Sequence, residues 1–239
     1  MRHICNQIID MRIITRSALV AAMALSFFIA CQAPNSTSKS ETTKEVETPV
    51  NKNSTRKTIL FFGNSITAAY GLEPAEAFSS LIQNKIDSIG LEYECINAGN
   101  SGETTKGGLS RLDWVMKEPI DIMVLELGAN DGLRGYSPEE TKANLEQLIQ
   151  KFMMKNPNSK VLLAGMKVPP SMGDQYFLEF EQIFTELGTI EGVVLIPFLL
   201  ENVAGIKELN LPDGIHPTAE GHRIISETVW AKLYPILEK

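Results

Sequence analysis

Five short apolar runs recur along the chain: TILFF (58–62), YECINA (93–98), DIMVLEL (121–127), KVLLAGM (160–166) and GVVLIP (192–197). Each is rich in Val, Ile, Leu or Phe and nearly unbroken, the pattern of strands buried on both faces. Between them the apolar positions change to helical spacing. Phe78, Leu81, Ile82 and Ile89 share one helical face. Ser137-Pro138-Glu139-Glu140 predicts a capping box with proline at the first helical position, ahead of Leu145, Leu148, Ile149 and Phe152. Residues 174–188 and 217–233 also read as helices. Strand–helix alternation requires right-handed crossovers and a parallel sheet covered on both sides. The fold class is therefore α/β, a three-layer α/β/α sandwich around a five-stranded parallel sheet. Ligands of such sheets bind beyond the carboxyl ends of the strands.

No such pattern precedes residue 57. Arg12 and Arg16 are followed by an apolar run from Ala18 to Ala30 and then by Cys31. That is the order of a secretory signal, in a run too short to span a bilayer comfortably. Met11 is an alternative start. FIAC (28–31) resembles a bacterial lipobox, whose cysteine becomes the lipidated first residue, although Leu is usual where Phe28 stands. A cleaved signal or an uncleaved anchor with an incidental cysteine is the alternative. From Gln32 to Arg56 the chain is Ser, Thr, Asn, Lys and Glu with two prolines, which cannot bury a face. The expected organisation is a leader over 1–30, a disordered tether over 31–56 starting at lipidated Cys31, and one folded domain over 57–239. Such a protein is exported and membrane-anchored, facing the periplasm or the cell surface.

Composition narrows the partners. The chain has 239 residues, 44% apolar, with net charge −7. It offers no basic surface for nucleic acid. Of its three cysteines, Cys5 leaves with the leader and Cys31 would carry lipid. Cys95 then stands alone in an apolar run, so no disulfide framework exists. It reads as a small core residue.

Four glycine-containing turns fall at strand ends or in the last connection: GNS (63–65), GNSGETT (99–105), GANDGLRG (128–135) and DGIHP (213–217). Glycine lets backbone approach a ligand closely. His216 lies just before Pro217, with Asp213 three residues earlier. That spacing lets the carboxylate fold back onto one imidazole nitrogen and leave the other free as a general base. Capping of the following helix by Asp213 is the competing reading. His222 lies inside an amphipathic helix and reads as structural.

These four segments, in this order, resemble the blocks of the SGNH (GDSL) hydrolases, in particular the bacterial arylesterase/thioesterase/lysophospholipase branch, across the whole domain from Lys57. The resemblance implies Ser65 as nucleophile, His216 as general base and Asp213 as its orienter. It implies an oxyanion hole from the Ser65 and Gly102 N–H groups and the Asn130 amide. It also implies a small acyl ester, thioester or lysophospholipid substrate, an acyl-enzyme, and no metal or cofactor. The connection KVPPSMGDQYF (167–177) flanks the acyl pocket in that branch, which makes Met172 and Tyr176 candidates for substrate contact; an ordinary surface loop is the alternative. Asn64 stands where the family usually has Asp, and Glu103 where Asp is common.

Three other readings fit parts of the pattern. A carbohydrate O-acetylesterase would use the same residues. A flavodoxin-like phosphate or flavin module would use the Ser/Thr-rich NSITAAYG (64–71) but would leave Asn130 and the Asp213–His216 pair without a role. A tethered binding protein without catalysis is disfavoured because every catalytic position is filled.

Overall fold

The computed structural model describes residues 56–238. The expected leader, the lipidation candidate Cys31 and the tether up to residue 55 lie outside the described residues.

Among the described residues, five strands form one parallel sheet: β1 (Lys57–Gly63), β2 (Tyr93–Gly99), β3 (Ile122–Glu126), β4 (Lys160–Ala164) and β5 (Val193–Ile196). Their order is β2-β1-β3-β4-β5. The chain leaves β1 toward one edge and returns to its other side at β3, which creates a crevice at the carboxyl ends where the order reverses. Register makes this edge even: Gly63 pairs with Gly99 on one side and with Glu126 on the other.

The central strands are buried as their apolar runs predict. Ile59, Leu60, Phe61 and Phe62 are at most 1% exposed, and every residue of β3 is buried. The outer strands depart from the expectation of burial on both faces. Ile96 in β2 is 42% exposed and three of the four β5 residues are only half-buried. As edge strands they lie at the margin of the helical layers, so covering is incomplete there. Cys95 in β2 packs against the core as a free thiol, and burial pushes its pKa up to about 12, which makes it unreactive.

Among the described residues, six helices flank the sheet: α1 (Phe78–Ser88), α2 (Thr105–Val115), α3 (Ala129–Leu133), α4 (Pro138–Lys155), α5 (Asp174–Leu187) and α6 (Ala219–Leu233). α1 packs on α6, while α4 packs on both α2 and α5, which builds a layer on each face. In α1 the buried face is Phe78, Ile82 and Ile86; Ile89 falls at the exposed C-cap, where Gly90 (φ +69) turns the chain. Only half of the expected capping box forms on α4. Ser137 accepts the Glu140 N–H at 3.3 Å, but the Glu140 carboxylate lies 4.0 Å from Lys106 instead. Leu145, Leu148, Ile149 and Phe152 are fully buried, each contributing about 1.5–3 kcal/mol.

Candidate active site

The site begins where β1 ends. Asn64 is buried, and its side-chain oxygen accepts the Ile66 N–H at 3.0 Å, so it closes the turn that carries Ser65. Its amide donates to Glu126 at 2.7 Å, its own N–H donates to the same carboxylate at 3.1 Å, and Thr67 adds a hydroxyl bond at 2.8 Å. The turn therefore folds around one fully buried carboxylate. Burial drives the Glu126 pKa up to about 7, against these donors, which favour the anion. Gly63 is required here, because a Cβ would meet Thr67 Oγ1 at 2.1 Å and Glu126 Oε2 at 2.6 Å.

Ser65 Oγ lies 2.9 Å from His216 Nε2, and His216 Nδ1 lies 2.7 Å from Asp213 Oδ2. Ser65, 151 positions from His216 along the sequence, thus joins the local Asp213–His216 pair in one hydrogen-bonded chain. Asp213 Oδ1 also accepts the N–H groups of Ile215 (2.9 Å) and His216 (3.0 Å). These bonds, the backbone N–H of His216 foremost, hold its pKa down to about 2. It is not the cap of α6; Thr218 is, accepting the Gly221 N–H at 3.3 Å. The helix-capping reading of Asp213 is thereby corrected: Pro217 separates the Asp213 turn from the helix start.

Gly102 and Asn130 sit in the two neighbouring turns. Gly102 has φ +79, in the left-handed region that favours glycine, and it has no side chain to crowd its N–H. Among the described residues, no protein group accepts the N–H of Ser65 or of Gly102. Asn130 donates one amide hydrogen to Glu103 O at 2.9 Å, which fixes the amide plane and leaves its second hydrogen. Asn100 N–H to Gly63 O (2.9 Å) and Arg134 to Gly102 O (3.0 Å) stitch the three turns together. Glu103 is a bracing residue: Arg111 grips its buried carboxylate through Nε at 2.6 and 2.8 Å.

The 167–177 connection leans on the Asn130 turn. Tyr176 donates its hydroxyl to Tyr136 O at 2.8 Å, and Met172 Cε would lie 3.9 Å from a Cβ on Gly135. His222 is buried, accepts the Phe78 N–H at 3.1 Å and has its pKa lowered to about 4 by burial. It belongs to the core, as expected.

Sequence reasoning missed Glu126, Asp131 and Tyr70. Glu126 had a signal, an acid inside a buried apolar strand. Asp131, also buried, anchors the start of α2 by accepting the Thr105 hydroxyl at 2.6 Å. The Tyr70 ring lies 4.6 Å from the His216 ring, a contact no local pattern encodes. The flavodoxin-like reading fails on this geometry. The Ser65 and Thr67 hydroxyls are engaged by His216 and Glu126, and a buried carboxylate beneath the turn would repel a phosphate.

Compared with known proteins, residues 61–224 match the GDSL-like Lipase/Acylhydrolase family, and the chain belongs to it. It is an SGNH/GDSL-type hydrolase acting on ester bonds. Esterase TesA of Pseudomonas aeruginosa is 37% identical over 182 residues, covering 76% of this chain and 90% of that protein. Thioesterase 1/protease 1/lysophospholipase L1 of Escherichia coli K12 is 33% identical over 181 residues, 75% of this chain and 85% of that one. Among solved structures, the psychrotrophic esterase EstA from Pseudoalteromonas sp., inhibited by monoethylphosphonate, superposes with TM-score 0.69 at 32% identity, over 75% of this chain and 97% of that one.

Proposed function

We propose that the protein is a serine esterase that hydrolyses small acyl esters and thioesters through an acyl-enzyme on Ser65. The observation that carries this reading is the unbroken Ser65–His216–Asp213 hydrogen-bond chain at the carboxyl edge of the sheet. His216 Nε2 takes the Ser65 proton as Oγ bonds to the ester carbonyl carbon. Asp213, held ionised by its two backbone N–H bonds, fixes the imidazole tautomer and balances the imidazolium. The carbonyl oxygen becomes an oxyanion received by the Ser65 and Gly102 N–H groups and the second Asn130 hydrogen. As the intermediate collapses, His216 returns the proton to the departing alkoxide or thiolate. Water then repeats the cycle on the acyl-enzyme and frees the acid.

The acyl chain lies along the 167–177 connection, against Met172 and Tyr176. Each buried methylene then adds up to about 0.8 kcal/mol to binding. Lysophospholipids fall within the same substrate class. Outside the described residues, the lipobox-like FIAC supports an exported, Cys31-anchored protein.

The test is a panel of p-nitrophenyl esters of graded acyl length. Wild type should prefer medium chains to acetate in kcat/KM. Ser65→Ala should fall to background on every ester, and Met172→Asp should erase the chain-length preference while sparing acetate turnover. Full activity in Ser65→Ala overturns the mechanism. A wild type preferring acetate, above all on acetylated glycans, replaces the acyl groove with a carbohydrate O-acetylesterase.

A further inference from the structure

Just beyond the Ser65 turn the chain does something its sequence does not require. Ala69 is left-handed at φ +53 although it is not glycine, and it is buried. A side chain in that conformation is strained, and strain of this kind persists only where surrounding structure holds it. Gly71 follows at φ +80, so close to the His216 loop that a Cβ would meet Leu211 Cδ1 at 2.9 Å. The Tyr70 N–H donates to Ser65 O at 3.0 Å. Tyr70 is thus tied to the serine's own turn and pressed toward the loop that carries the histidine.

The result is a large aromatic side chain left 52% exposed, with its ring centroid 4.6 Å from the His216 ring at 40° between planes. Burial of Tyr70 explains neither the strain nor the placement, because half of the side chain stays in water. Contact with His216 explains both. Asp213 fixes the imidazole at Nδ1 and Ser65 engages Nε2, but these in-plane bonds leave the ring faces ungripped. An aromatic ring against the imidazole restrains tilt out of that plane. Its electron-rich face also attracts a cation, and His216 becomes one when it takes the Ser65 proton.

The geometry points to Tyr70 as a positioning residue for His216, one that steadies the imidazole between Asp213 and Ser65 and favours its charged form during acyl transfer. This inference rests on the reading of His216 as general base. The effect belongs to the transition state, so it appears in kcat and not in KM. For a half-exposed contact the expected loss is about threefold to fivefold.

The experiment compares wild type, Tyr70→Phe and Tyr70→Leu on one aryl and one alkyl ester of the same acid, with Ser65→Ala and His216→Ala as controls. Ester turnover that vanishes in Ser65→Ala and falls by orders of magnitude in His216→Ala establishes the underlying reading independently of Tyr70. Tyr70→Phe keeps the aromatic face and should stay within about twofold of wild type. Tyr70→Leu keeps apolar cover without a π face and should lose kcat about threefold to fivefold, equally on both esters and with KM unchanged. Wild-type kcat in Tyr70→Leu overturns the proposal. So does a loss confined to KM on the aryl ester, which would make Tyr70 a leaving-group platform, and so does equal impairment of Tyr70→Phe, which would assign the role to the hydroxyl.

Discussion

Asn64 and Glu126 carry the most concentrated chemistry outside the serine–histidine–aspartate chain. An amide at position 64 donates to Glu126 at 2.7 Å, so a single buried carboxylate serves the nucleophile turn. With the Asp usual in the family, two carboxyl groups would share that contact and one would need a proton. Wild-type Glu126 has its pKa raised from 4.5 to about 7. Its contribution to stability is therefore complete below pH 4.5 and is lost as pH rises through 7. Asn64→Asp should deepen that loss, because the shared proton leaves over the same range and two anions then face each other. Thermal unfolding from pH 5 to 9 should show the variant falling away from wild type by on the order of 2 kcal/mol at the alkaline end. Parallel curves would contradict this account of the turn. At this scale the sequence was legible where spacing is local. Asp213 and His216 are three residues apart and bond as their spacing predicts. Tyr70 and Asp131 were not legible, since their partners His216 and Thr105 are remote along the chain or reached only through turn geometry.

Among the elements, the strands and the four long amphipathic helices could be read from their periods, and α2 could not. Its sequence TKGGLSRLDWV places Gly107 and Gly108 in the first turns, a composition that reads as loop. Packing decides the matter. A Cβ on Gly108 would meet Leu127 Cδ1 at 2.5 Å and the Phe62 ring at 3.2 Å, so glycine is what lets α2 lie close against the sheet. The extent of strand exposure was likewise hidden, because an apolar run does not state whether its strand is central or at an edge. The α1–α6 contact yields a pH prediction. His222 on α6 accepts the first N–H of α1 and has its pKa lowered from 6.5 to about 4. Its stabilisation is fully present above pH 6.5 and is lost as pH falls toward 4, to a limit of about 3 kcal/mol. His222→Asn keeps an acceptor without a titrating group. Urea unfolding of the variant should flatten between pH 6.5 and 4, and an unchanged slope would remove His222 as the cause.

For the molecule as a whole, sheet polarity separates two ends. β1 starts at Lys57, where the chain preceding the domain enters, and runs seven residues, roughly 20 Å, to the Ser65 turn at the opposite edge. Wild type should fractionate with membranes and Cys31→Ser should not; a soluble wild type whose mature chain starts elsewhere would end the lipoprotein proposal. The central claim, an acyl-enzyme on Ser65, has a more direct test. The full chain is treated with a serine-directed phosphonate and its adduct mapped by peptide mass spectrometry. The account predicts a single adduct, on Ser65, forming in step with loss of esterase activity. An adduct on another serine, or complete inactivation with Ser65 unmodified, would contradict it.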